Sequence, residues 1–198
     1  MATLCLIGFG MFAALDWYAV GRRCKTVEYV AKPAALALLL LYAAAHPEAS
    51  WALLAALMFS LLGDVYLMLP VDMFLFGLAA FLVGHIAYVV AIDADLTSRV
   101  LWVALIFLMS APVAYRILRA VRPTSMRPAV ALYMLAIVAM VASAVAAGNV
   151  VAIAGALLFY ASDAMIAWDR FVQPFSLARL GIIVTYHLGQ LGLVWGLT

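Results

Sequence analysis

The sequence predicts an all-α integral membrane protein with eight transmembrane helices in one bundle, and three observations predict it. Hydrophobic residues make up 70% of the 198-residue chain and charged residues 10%, with a mean hydropathy of +1.20. That composition leaves too little polar surface to clothe a water-soluble globule. Apolar runs of about 20 residues, the length that crosses the hydrocarbon core, recur eight times along the chain. The segments between them are short, so sequential spans are antiparallel neighbours and no separate soluble domain is expected. Residues 1–198 are therefore read as a single transmembrane domain.

In order, the first span is Ala2–Val20; its opening, MATLCLIGFG, has no basic n-region and reads as a span, not as a cleaved signal peptide. The second is Val27–Ala45. The third, Trp51–Leu69, closes at Pro70, which cannot continue a helix. The fourth is Met73–Ile92, and the fifth, Val100–Leu118, contains Pro112, where a kink is expected. Pro128–Ala147, Val150–Trp168 and Leu177–Leu197 complete the set. Trp17, Trp51, Trp102, Trp168 and Trp195 all fall near span ends, where amphipathic rings sit among headgroups.

Charge supplies the orientation. Arg22, Arg23, Lys25 and Lys32 lie between spans 1 and 2, Arg116, Arg119, Arg122 and Arg127 between spans 5 and 6, and Arg170 and Arg179 between spans 7 and 8. Arg99 is the remaining one of the 11 basic residues and falls on the other side. The positive-inside rule then puts these connections in the cytoplasm and both termini outside it, in the inner membrane if the host is bacterial. The net charge of +2 is accounted for by topology and carries no nucleic-acid signal, and nothing in the pattern calls for an obligate protein partner. Cys5 and Cys24 lie at opposite faces of the membrane, too far apart to pair, and make no metal pattern.

Against this background the polar residues inside the spans stand out, because an ionised side chain in hydrocarbon needs a partner, a proton or a wet cavity. Asp64 sits in FSLLGDVYLML near the end of span 3, and Asp163 in LFYASDAMI near the end of span 7. The two stretches resemble each other and lie half a chain apart, as a duplication into two four-helix halves of the same orientation, a 4+4 parallel repeat, would leave them. In span 4, Gly77, Phe81, Gly84, His85 and Tyr88 share one face at helical spacing. In span 8, Arg179, Ile183, Tyr186 and Gln190 form a stripe, whereas His187 points about 100° away from Tyr186 and is a poorer candidate. Tyr160 precedes Asp163 by one turn, with Ala156 and Ala167 on the same side. Asp16 and Asn149 are less informative. Lys32 is expected to snorkel to the interface, and Gly77 and Gly84 to serve helix packing. Each residue alone has an ordinary structural reading as a satisfied polar group; two carboxylates, an imidazole and an amide together favour a functional site.

SLLGDVYLMLP, FLFGLAAFLVGHIAYVV, FYASDAMIAWDRF and TYHLGQ, in this order and at these separations, resemble the YhhN family of membrane lysoplasmalogenases, and AKPAALALL at Ala31–Leu39 is similar to the stretch that opens the family's second helix. His187 and Gly189 depart from the usual residues of the last motif, while Tyr186 and Gln190 are retained. The resemblance implies hydrolysis of the vinyl ether bond of a lysoplasmalogen, a lysophospholipid, to a fatty aldehyde and a glycerophospho-alcohol, with no cofactor and no metal. Such a reaction needs a protonated acid and an anion to stabilise an oxocarbenium ion, much as two carboxylates divide the work in glycoside hydrolysis. On that footing Asp64 and Asp163 are the acid and its counter-charge, in unassigned order, sharing one pocket. His85 activates water or orients a carboxylate; Tyr88, Tyr186 and Gln190 bind the ether oxygen, the water or the aspartates, and with Tyr160 form the substrate-binding set. Lys32 or Arg179 receives the phosphate. The rival readings are a metal-dependent lysolipid hydrolase holding zinc on Asp64, His85 and Asp163, a proton-coupled transporter or lipid carrier, and a structural scaffold.

Overall fold

The computed structural model describes residues 1–198 and contains eight helices long and apolar enough to cross a membrane. They are α1 (Ala2–Arg22), α2 (Lys25–Ala44), α3 (Trp51–Met68), α4 (Phe74–Ala91), α5 (Leu96–Ala120), α6 (Arg127–Ala147), α7 (Val150–Ala167) and α8 (Ala178–Leu197). A 3₁₀ turn, Thr124–Met126, leads into α6, and a π-helical turn, Trp168–Val172, extends α7. The chain is thus an integral, multi-pass membrane protein.

Local chemistry explains the helix ends. α5 begins earlier than its apolar run because Asp95 caps it, accepting from the Ser98 N–H at 2.8 Å. That bond holds the Asp95 carboxyl below the usual carboxylate range. Arg99, the basic residue set apart in the sequence, donates to the Val89, Ile92 and Ala94 carbonyls and so satisfies the C-terminal end of α4. Between α6 and α7 the chain turns on Gly148 at φ +76, and Asn149 caps α7 through Val151 and Ala152. α5 runs on through Pro112 without a break.

Consecutive helices pack as antiparallel neighbours except at α4–α5, which corrects the expectation for that pair: α4 packs on α3 and α6, and α5 on α6. The two halves of the chain interlock: α8 packs on α1, α2 and α3, and α4 packs on α6. α7 and α8 touch backbone to backbone, since a Cβ on Gly155 would lie 2.4 Å from the Leu193 nitrogen and one on Gly192 would lie 2.7 Å from the Gly155 Cα. Small residues at such a contact are how helices approach closely in a bilayer, where burial of apolar surface between helices gains little. α5 is peripheral. Ile117 is its one buried residue, and it rests on α6 and on the π turn after α7.

Candidate active site

Two polar clusters lie between the helices, reaching from the half of the bundle that carries the α1–α2, α3–α4, α5–α6 and α7–α8 connections toward its middle. The first begins at Asp64, in the last turn of α3, whose side chain is 1% exposed. Its Oδ1 is 2.8 Å from the Lys32 ammonium, and its Oδ2 accepts from the Tyr186 hydroxyl at 2.7 Å. Gln190 donates through Nε2 to that hydroxyl at 3.3 Å, and Tyr88 donates to Gln190 Oε1 at 2.5 Å. α2, α3, α4 and α8 are therefore tied by one chain of hydrogen bonds ending in a buried ion pair. The reach of Lys32 corrects the expectation that it snorkels: one helical turn after Glu28 and one before Leu36, it lies on the packed face of α2 and is 14% exposed. Of the partners expected for Tyr88, Tyr186 and Gln190, the structure shows an aspartate: their polar atoms meet one another and Asp64.

The second cluster centres on Asp163, in the last turn of α7. Tyr133 of α6 donates to its Oδ2 at 2.5 Å, and His85 Nε2 lies 3.4 Å from the same oxygen. His85 Nδ1 is 2.6 Å from the Phe81 carbonyl; a carbonyl only accepts, so Nδ1 carries the proton and Nε2 is left to exchange one with Asp163. Asp163 keeps 9% of its side chain exposed and lines a cavity of about 80 Å³ bounded by α3, α4, α5, α6 and α7. Eighteen of the 20 residues around this cavity are hydrophobic, and Tyr133 and Tyr160 lie in its wall. Asp64 and His85 do not line it. The expectation of a single pocket shared by both carboxylates is thereby corrected. The aromatic ring of Phe159 separates the clusters, with its centroid 4.8 Å from that of His85 and 5.3 Å from that of Tyr186. The pairing across the halves is reciprocal: the α3 aspartate meets a residue of α8, and the α7 aspartate meets one of α4.

Arg179 is not free either. It donates to Glu28 Oε2 at 2.6 Å, and Lys25 pairs with the same carboxylate. Asp16 of α1 is fully buried with neither oxygen hydrogen-bonded, and the charges nearest it are Lys32, Glu28, Asp64 and Arg179. His187, on the flank of α8 away from the Asp64 cluster, accepts from Trp17 Nε1 at 3.0 Å and packs on Phe9. No three His, Cys, Asp or Glu side chains converge as metal ligands. Sequence reasoning missed Tyr133 and Glu28. Tyr133 had a signal, as an isolated tyrosine in the apolar run of span 6 on the face of Val130 and Ile137; Glu28 had one in its spacing of four from Lys32.

An eight-helix membrane bundle with a carboxyl group on the wall of an apolar cavity, and an imidazole behind that carboxyl, defines a polytopic membrane protein with a titratable group in a largely apolar site. More particularly, the chain belongs to the YhhN family, which residues 27–197 match. It is similar to the protein named lysoplasmalogenase TMEM86B from Homo sapiens, 38% identical over 136 residues that cover 69% of this chain and 58% of that protein. The Sus scrofa counterpart is 36% identical over 68% of this chain and 58% of its own length, and the Mus musculus one 33% identical over 74% and 63%. The matched region thus spans less than two thirds of each of these relatives. No solved structure matches the chain.

Proposed function

We propose that this protein hydrolyses the vinyl ether bond of lysoplasmalogens, releasing a fatty aldehyde and a glycerophospho-alcohol such as glycerophosphoethanolamine. The relatives named lysoplasmalogenase support the reaction. The observation that carries the mechanism is Asp163, a carboxyl group facing an apolar cavity with an imidazole at 3.4 Å and a tyrosine hydroxyl on the same oxygen. On the positive-inside orientation the site lies beneath the cytoplasmic surface, with both termini on the far side.

The chemistry follows from that arrangement. Asp163, protonated on the oxygen not held by Tyr133, gives its proton to the β carbon of the vinyl ether. The double-bond electrons form the new C–H bond, and the ether oxygen's lone pair makes an oxocarbenium ion. The carboxylate left behind stabilises this cation, and in an apolar wall such an interaction is far stronger than in water. Water adds to the carbon bound to oxygen and returns a proton to Asp163, giving a hemiacetal. As the hemiacetal collapses, Asp163 protonates the departing glycerol oxygen and takes the hydroxyl proton in return, while His85, with Nε2 3.4 Å from the Asp163 carboxylate and outside the cavity wall, orients that carboxylate. One water is consumed and Asp163 is restored.

Asp64 serves differently. Its charge is matched by Lys32, and it fixes Tyr186, whose ring packs on Phe81 and Phe159 behind the cavity. It is a positioning residue. The cavity is large enough for about three waters at roughly 30 Å³ per molecule, so the lipid chain must extend beyond it, along α5, whose exposed Phe107 and Val113 belong to its wall. The test is to incubate the purified protein with lysoplasmenylethanolamine beside its saturated alkyl-ether analogue. Aldehyde from the vinyl ether alone is expected; aldehyde from both, or from neither, defeats the mechanism, because only the vinyl ether offers a carbon to protonate.

A further inference from the structure

A substrate carrying a phosphate needs a cation near the cavity, and the two expected cations are occupied: Lys32 by Asp64 and Arg179 by Glu28. The walls of the Asp163 cavity include Leu67, Phe74 and Phe171, which lead to another cation. Arg170 lies in the π turn that prolongs α7, a distortion that helices keep mostly at functional sites. Its Nη2 is 2.9 and 3.2 Å from the two oxygens of Asp72, in the α3–α4 connection, and its guanidinium lies 3.9 Å from the centre of the Phe74 ring. Arg170 and Asp72 border a shallow polar recess of about 170 Å³. This recess adjoins the apolar cavity of Asp163, since Leu67 and Phe74 belong to the walls of both. A polar recess beside an apolar cavity, with the side chains of Leu67 and Phe74 between them, matches the two parts of a single-chain amphiphile.

The spacing agrees. Seven residues along α7 separate Arg170 from Asp163, about 10 Å at the helical rise. In a lysoplasmalogen seven bonds separate the protonated carbon from phosphorus, roughly 9 Å when extended at ordinary covalent bond lengths. The charges agree as well, because a guanidinium–carboxylate pair is the complement of a phosphate joined to an ammonium. Asp72 is 71% and Arg170 37% exposed, and an ion pair so exposed contributes little, so its members exchange partners at small cost.

Resting on the ether-hydrolase reading of Asp163, we propose that this recess binds a zwitterionic phosphoethanolamine headgroup: Arg170 takes the phosphate, Asp72 takes the primary ammonium, and the two give up their mutual ion pair. The recess sets headgroup preference and places the vinyl ether at Asp163.

Binding and turnover test it separately. Equilibrium binding of the non-hydrolysable alkyl-ether lysophosphoethanolamine is compared with that of the same alkylglycerol without phosphate, in the same detergent. The intact protein should prefer the phosphate-bearing lipid. Arg170→Gln should erode that preference at least tenfold, the loss expected for a charge-assisted contact, and Arg170→Lys should recover part of it. Asp72→Asn should lower the preference for phosphoethanolamine over the corresponding phosphate monoester. Turnover of lysoplasmenylethanolamine by R170Q should show the change in KM with a much smaller one in kcat. A preference unchanged in R170Q overturns the headgroup site even where turnover stands. An Arg170-dependent preference without turnover by the intact protein keeps the site and overturns the hydrolase reading.

Discussion

Replacing Lys32 by methionine separates the structural cluster from the chemical one. The substitution leaves the Asp64 carboxylate, 1% exposed, with one strong hydrogen bond, from Tyr186. Removing one member of a buried ion pair costs about 3–5 kcal/mol, because the other charge stays uncompensated. For a chain of this size each kcal/mol is worth about 2–4 °C in Tm, so Lys32→Met should lower Tm by about 6–20 °C. Adding Asp64→Asn removes the charge while the amide oxygen still accepts from Tyr186, and the double variant should return to within about 5 °C of the parent on the same scale. Thermal unfolding of all four proteins in one detergent gives the coupling. The double variant should also retain measurable aldehyde release, since neither residue touches substrate in this account. A Lys32→Met protein as stable as the parent, or a double variant no more stable than the single one, would refute the buried-pair reasoning.

Other substitutions probe the remaining parts. Asp163→Asn should lower kcat by about 10²–10⁴-fold, the usual share of a general acid, while leaving Tm nearly unmoved; activity assays beside thermal melts check this. Tyr133→Phe removes the hydroxyl from Asp163 Oδ2 and should reduce kcat by roughly tenfold, the equivalent of one charge-assisted bond. Gly155→Leu forces a side chain where even a Cβ would meet Leu193 N at 2.4 Å; α7 and α8 should separate, seen as loss of folded, monodisperse protein in size-exclusion chromatography. Arg170 donates to Asp72 and, with help from the Phe74 N–H, holds its carboxyl below the usual value of 3.8. A lowered acid keeps its charge above that value and loses it as pH falls through the lowered one. Between about pH 5 and 8, therefore, the ratio of kcat/KM for lysoplasmenylethanolamine to that for the headgroup-free alkenylglycerol should be flat.

The spans were legible because hydropathy acts on 20-residue averages, which caps and loops shift by only a few residues. The buried faces were legible as well: Gly77, Phe81, Gly84, His85 and Tyr88 all point inward, as their spacing required. What the sequence withheld was which polar groups meet. Lys32 and Arg179 both read as interfacial cations, and helical periodicity fixes a side chain's face without fixing the partner supplied by another helix. Glu28 and Asp64 chose between them through contacts across more than one helix pair. The division of the two aspartates between a closed ion pair and an open cavity was hidden for the same reason, since Phe159 separates the clusters and its role appears only when α4, α7 and α8 are packed. The α3–α4 connection and the π turn carried no hydrophobic pattern, so the Arg170–Asp72 pair, from opposite halves of the chain, left no trace in the apolar periodicity.

The account depends most on proton transfer from Asp163 to carbon, and hydrolysis in heavy water tests that step directly. Aldehyde released from a vinyl-ether lysolipid in D₂O should carry one deuterium on the carbon next to the carbonyl, and D163N should release almost none. Aldehyde free of deuterium at that carbon, or full release by D163N, would contradict it.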